Sequence, residues 1–267
     1  MGYINHRQST DCGANSKPKP KQTLSLSEAI TERIDDALER EAALTKSRDY
    51  LGASRLGVTC ERALQYEYRH VPEDEGRTFS GRTLRIFEAG HVFEALAISW
   101  LKKAGFALFT ENADGEQFGF SVAGGRIQGH IDGLIVSGPA IENARYPCLW
   151  ECKSLCNTSF NATLKHGLKK AHPLYAAQVA LYQAYMEAEF ASIQDNPVLF
   201  MAINKDTAAL YFEWIRFDSA LAQQASDRGV HILKASDAGE LLPRHTTSPK
   251  HFACRLCPWQ RRCWQGG

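Results

Sequence analysis

The chain has no apolar run near the ~18 to 20 residues that span a bilayer, which excludes a helical membrane protein. Its N-terminus lacks the basic-then-apolar order of a secretory signal, so the expected location is the cytoplasm. There is no internal repeat. There is almost no net charge either: 31 Lys and Arg face 30 Asp and Glu, for a balance of +1. Global charge therefore gives no argument for a nucleic-acid partner. What is present, 44% hydrophobic and 23% charged residues in 267, suits a globular protein with a sizeable core.

Charge is unevenly placed. From Arg244 onward there are five cations (Arg244, Lys250, Arg255, Arg261, Arg262) and no acid, and a second basic group is Lys165, His166, Lys169 and Lys170. Residues 1–22 are polar, with Lys17-Pro18-Lys19-Pro20-Lys21, and read as a disordered leader. Eight cysteines in a reducing compartment point to metal ligation or to buried thiols rather than disulfides.

Ser25-x-x-Glu28 offers a capping box for a helix carrying Ile30, Ile34 and Leu38 and ending near residue 48. Residues 51–69 read as a turn with Cys60, then a short helix. A long helix is expected over 83–103, followed by strands near 106–111, 116–122, 125–136 and 146–153, with Gly-rich turns between them. Pro173 opens a helix to about residue 190. Strands 198–204 and 209–216 and a helix over 218–235 follow, while 154–172 reads as a loop. This order predicts an α/β fold, a central mixed sheet flanked by helices, with an N-terminal helical region and a C-terminal Cys-rich segment.

In "CLWECKSL", strand alternation puts Glu151 and Lys153 on one face and Trp150 and Cys152 on the other. Upstream, "IQGHIDGLIV" places Asp132 in a neighbouring strand, between glycines that permit close approach. Asp132 and Glu151 could share a divalent metal, since carboxylate oxygens suit Mg²⁺ or Mn²⁺, with Lys153 beside them to orient water. Glu88 and Glu94 read as surface acids around His91.

G-x-x-D followed by E-x-K resembles the PD-(D/E)xK nuclease superfamily. His91 in "EAGHVFEAL" and Gln178 and Tyr182 in "YAAQVALYQAYM" extend the resemblance to its RecB-like branch. The resemblance implies a restriction-endonuclease-like core over about 80–216. It also implies metal ligation by His91, Asp132 and Glu151, catalysis with Lys153, and orientation of Lys153 or a DNA end by Gln178 and Tyr182.

Cys254-x2-Cys257-x5-Cys263 leaves a metal one ligand short, and Cys60 is the natural fourth. One early and three late cysteines resemble the iron–sulfur CRISPR-associated exonucleases and the AddB-type subunits of the same branch. That resemblance implies a [4Fe–4S] cluster joining 51–70 to 244–267 within one nuclease domain, 23–267; a structural Zn²⁺ is the alternative. Cys148 and Cys152 read as core thiols, and Cys12 falls in the leader.

The residues most resemble compact phage-type members. No G-x-x-x-x-G-K-[ST] helicase motif occurs. The function implied is a metal-dependent DNA exonuclease, 5′ to 3′, serving recombination, repair or CRISPR adaptation, with an adaptation or recombination protein as a partner and homo-oligomers open. Lys165, Lys169, Lys170, Arg255, Arg261 and Arg262 would track phosphates, and Tyr175, Trp259 and Trp264 could stack on bases. A structure-specific endonuclease and a silent DNA-binding subunit are the alternatives.

Overall fold

The computed structural model describes residues 24–45 and 47–265; the expected leader, with Cys12, lies outside them. Helix α1 (Leu26–Leu44) starts at the capping box, with Ser25 and Glu28 bonded reciprocally. It stops four residues before the expected end, and none of its residues is buried. Ile30 and Ile34, placed at helical spacing in the sequence, stay exposed. Polar contacts hold α1 instead, to helix α3 (Gly81–Lys103). Asp35 pairs with Arg85 at 3.0 Å, and the Gly81 N–H donates to Glu39 at 2.7 Å. A Cβ at position 81 would meet Asp35 Cα at 2.4 Å, so only glycine permits this crossing.

Between these helices lie the short strand β1 (Leu51–Gly52) and α2 (Glu61–Tyr68), which begins at Cys60. Strands β2 (Ala107–Phe109), β3 (Gly119–Val122), β4 (Ile127–His130), β5 (Gly133–Ser137) and β6 (Cys148–Leu155) follow α3. The segment read as one strand over 125–136 is two strands in different sheets. β4 pairs with β1 and β3, whereas β5 joins the main sheet of order β2-β5-β6-β7-β8, with β7 at Val198–Asn204 and β8 at Leu210–Ile215. Only β6 and β7 run parallel in the main sheet; its other pairs are antiparallel. The chain changes sheet at Ile131-Asp132, and that joint positions the carboxylate discussed below.

Alternation along β6 divides the core. Cys148, Trp150 and Cys152 join Leu199, Met201 and Ile203 of β7 under Ala97 and Leu101 of α3. Leu149 and Leu155 face the opposite side with Phe200 and Ala202, beneath α5 (Pro173–Met186), which packs in turn on α6 (Ser219–Asp237). Nine residues of α5 are buried, as expected of a helix enclosed between a sheet and another helix.

Residues 154–172, read as a loop, contain helix α4 (Asn157–Ala171). It kinks at Gly167, whose φ of 71° is open to glycine without strain. The freed Leu168 N–H donates to Glu213 Oε2 at 2.8 Å, and the Tyr211 hydroxyl donates to the same oxygen. Two short helices, α7 (Phe252–Arg255) and α8 (Gln260–Gln265), complete the described chain. No helix among the described residues is long and apolar enough to cross a membrane.

Candidate active site

Asp132 sits where β4 hands over to β5, and the register Gly133↔Trp150 sets it beside β6. Its Oδ2 accepts the backbone N–H of Cys152 at 2.8 Å, which fixes the carboxylate against that strand. Glu151 and Lys153 project from β6 toward α5. Lys153 Nζ contacts Glu151 Oε1 and lies 3.9 Å from Asp132 Oδ2. Gln178, on α5, donates its amide to the same Glu151 oxygen at 2.6 Å. Four of the residues singled out from sequence therefore meet in one buried corner.

Tyr182, one turn along α5, is buried and packs edge-on against Phe120 of β3, with ring centroids 5.6 Å apart. A Cβ at Gly129 would lie 2.9 Å from the Tyr182 ring, so the glycine of G-x-x-D lets β4 approach it. Tyr175 closes the corner on another side, its ring centroid 5.4 Å from Lys153 Nζ.

The electrostatics follow from this enclosure. Burial pushes the Glu151 carboxyl up, Asp132 adds to the shift, and Lys153 opposes it. Burial alone would lower Lys153, but Glu151 and Asp132 together hold it above its usual range. The ammonium is thus firmly protonated between two carboxylates. The Tyr182 hydroxyl is raised by burial and then by Glu151, so it stays a neutral phenol.

Helix α3 supplies a third acid that was read differently from sequence. The Glu94 carboxyl is raised by burial and by Asp132, and lowered by His91 and Lys153, so it faces the same group of charges rather than serving as a surface acid. His91, expected among the ligands, is 83% exposed and reaches Glu94 only at 3.9 Å. Among the described residues, no three His, Cys, Asp or Glu side chains converge closely enough to grip an ion as they stand. Lys153 fills the space between Asp132 and Glu151. The donor set itself, three carboxylates around one lysine, suits a hard cation such as Mg²⁺ or Mn²⁺. The one sequence signal for Glu94 is its place three residues beyond His91, nearer the Ala97/Leu101 stripe that faces the core, and that signal alone does not choose between the two.

Cys60, Cys254, Cys257 and Cys263 line one cavity of about 230 Å³. They surround it without any three closing on a single point. Burial raises the Cys254 and Cys257 thiols, and neighbouring cysteines add to both shifts. The segment is also fastened independently of sulfur. Asp74 accepts the backbone N–H groups of Arg261 at 2.5 Å and Arg262 at 3.1 Å, which caps α8. The Trp259 indole donates to the Val71 carbonyl at 2.8 Å, and Arg77 donates to the Arg255 carbonyl at 2.8 Å.

The expected phosphate-tracking residues divide accordingly. Arg261 and Arg262 donate from their guanidinium groups to the Glu75 and Pro72 carbonyls, so they fasten the segment. Lys169 pairs with Asp218 at 2.6 Å. Lys165, Lys170 and Arg255 are exposed and make no ion pair among the described residues. Trp259 is buried, and one face of the partly buried Trp264 is covered by Arg244, whose guanidinium carbon is 4.7 Å from the ring centroid. Cys148 and Cys152 are buried, as expected, and burial pushes the Cys148 thiol up to about 12.

No family model and no curated protein matches the chain. Among solved structures, SSO0001 is similar at 18% identity and a TM-score of 0.48, over 88% of this chain and 96% of that one. An alkaline exonuclease from Laribacter hongkongensis is similar at 15% identity and a TM-score of 0.48, over 78% and 93% of the two chains. The chain is thus distantly similar in structure to an alkaline exonuclease.

Proposed function

We propose that the chain is a Mg²⁺- or Mn²⁺-dependent deoxyribonuclease of the RecB-like PD-(D/E)xK kind, acting at DNA ends. One observation carries the reading: Asp132, Glu151, Lys153 and Gln178 meet in a single corner, with Glu94 facing it. Asp132, Glu151 and Glu94 would hold the cation. When bound, it would supply a Lewis acid for the phosphate and lower the pKa of an attacking water.

The chain's own groups do the rest. Lys153, kept charged by its two carboxylates, offsets the negative charge that builds on the phosphate and orients the water. Gln178 fixes the Glu151 oxygen that Lys153 also uses, leaving the other oxygen for the cation. Tyr182, neutral and packed on Phe120, holds the α5 face against β4. Lys165, Lys170 and Arg255 are the exposed cations available to DNA phosphates. End resection with 5′ to 3′ polarity, feeding recombination or CRISPR adaptation in a bacterial or phage-infected cytoplasm, is the biological setting that the motifs favour.

Cys60, Cys254, Cys257 and Cys263 would bind a [4Fe–4S] cluster with a structural role. Four thiols spread around a cavity favour a polynuclear group over the single closed point of a tetrahedral zinc site. Anaerobically prepared protein should be brown and contain iron and sulfide; a colourless sample with stoichiometric zinc overturns this assignment.

The nuclease reading is tested with Mn²⁺ on linear and covalently closed circular DNA. Linear DNA should be degraded and circles spared, and Glu151→Ala should abolish the activity. Undiminished activity in Glu151→Ala removes the proposed centre, whereas cleavage of circles assigns it to an endonuclease.

A further inference from the structure

We infer that the N-terminal half of α3 forms a stacking platform for an unpaired DNA end, with Phe79 and Phe87 as its aromatic surface; this rests on the nuclease reading of the carboxylate centre. Phe87, His91 and Glu94 follow one another at helical spacing, within about 60° of arc on one side of the helix. Glu94, the inner member of this stripe, is partly buried. Next to it, Gly90 brings the helix against the last turn of β6: a Cβ there would lie 3.4 Å from Ser154 Oγ. The stripe therefore leads outward from the carboxylates past the end of the strand that carries Glu151 and Lys153.

At its outer end Phe87 is 47% exposed and Phe79 is 59% exposed. The two rings meet edge to face, with centroids 5.1 Å apart. Neither belongs to the apolar clusters on the two sides of the main sheet. Two phenylalanines that touch each other while remaining half in water contribute little to folding, and their flat faces stay available to a ligand. The occupant must therefore present flat apolar faces within reach of the carboxylates. Unpaired nucleobases do so; in a duplex those faces are already stacked on their neighbours.

The distance fits. Phe87 lies seven residues from Glu94, which is about 10 Å along the helix. Stacked nucleotides rise roughly 3.4 Å each along a strand. The platform thus meets a base about three nucleotides from the phosphate at the centre. His91, exposed between the two ends, faces the connecting backbone. The stripe makes single-stranded ends, or ends with an unpaired overhang, the preferred substrate class.

The test uses full-length protein and oligonucleotides carrying 2-aminopurine three nucleotides from the end, in a Glu151→Gln background that binds without cutting. Binding should quench the probe. Phe87→Ala should weaken single-strand binding about 5- to 150-fold, the equivalent of one lost base–aromatic stack, while blunt duplex binding is unchanged and Phe87→Trp retains affinity. In parallel, Mn²⁺-dependent hydrolysis of bis(p-nitrophenyl) phosphate, which has no bases to stack, should be the same for Phe87→Ala as for the natural chain. Unaltered single-strand affinity, or equal loss for single strand and duplex, overturns the platform. A dimer that Phe79→Ala converts to monomer in sedimentation assigns the patch to a second copy instead. Absence of hydrolysis in the natural chain sinks the nuclease reading, and that failure is separate from any change in binding.

Discussion

Replacing Lys153 by Met tests the electrostatic account of the corner directly. The side chain keeps its length and approximate volume, so the packing change is small. What disappears is the cation in contact with Glu151 and 3.9 Å from Asp132. Each attraction is worth roughly 4 kcal/mol at the effective dielectric of partly solvated protein sites. The relief of no longer burying an ammonium cancels much of that sum, so the net loss should be about 3 kcal/mol at pH 8. The pH dependence is the sharper signature. Burial and Asp132 already hold the Glu151 carboxyl above its ordinary value of 4.5, and the loss of Lys153 removes the main group that opposes them. The natural fold already keeps the Glu151 proton up to about pH 8, and the folded variant keeps it to higher pH still. Where the folded state binds more protons, stability falls as pH rises; both proteins share that slope up to about pH 8, so the variant's extra deficit should grow above it. Urea denaturation in EDTA at about pH 7 and about pH 9.5, on either side of that value, measures this, and excess Mn²⁺ at pH 8 should restore part of the loss by replacing the missing charge. A deficit independent of pH, or one that grows as pH falls, refutes the arrangement of charges described here.

The other substitutions separate residues that sequence treats alike. Glu94→Gln should raise the Mn²⁺ concentration needed for half-maximal DNA degradation about 10- to 100-fold, while His91→Ala changes it less than about threefold; equal effects would return His91 to the ligand set. Asp74→Ala removes the carboxylate that caps α8 and should cost about 1 to 2 kcal/mol, with Asp74→Asn recovering part of it. Limited proteolysis should then cut within 244–265 before any other region, and an unchanged cleavage pattern would show that the cap is dispensable.

The elements read well from sequence are those whose signal is local. β7 begins and ends where its apolar run does, and Pro173 opens α5 as its fixed φ allows. Local signals failed where a partner decides the outcome. Residues 125–136 keep an apolar pattern straight through Ile131, so nothing local marks the passage from one sheet to the other; only the pairing with β1 and β3 on one side and β6 on the other does. Helix α4 was missed because Gly167 and a polar first half lower its propensity, and the compensating carboxylate, Glu213, comes from a strand 45 residues away.

The site divides along the same line. Glu151 and Lys153 share a face because strand side chains alternate, which requires no tertiary knowledge. Deciding between His91 and Glu94 requires the angle at which α3 crosses the sheet, because both lie on the same side of the helix. The basic tail gave the most misleading signal. Five cations without an acid suggested a phosphate track, but the groups that satisfy Arg261 and Arg262 are backbone carbonyls at Glu75 and Pro72, which composition does not weigh. Those bonds, with the Asp74 cap and the Trp259 indole, bring Cys254, Cys257 and Cys263 to Cys60 before any metal is considered. The cysteines therefore meet in a scaffold that polar contacts already define, so the cavity is a consequence of the fold and a group bound there would lock an end that is already closed.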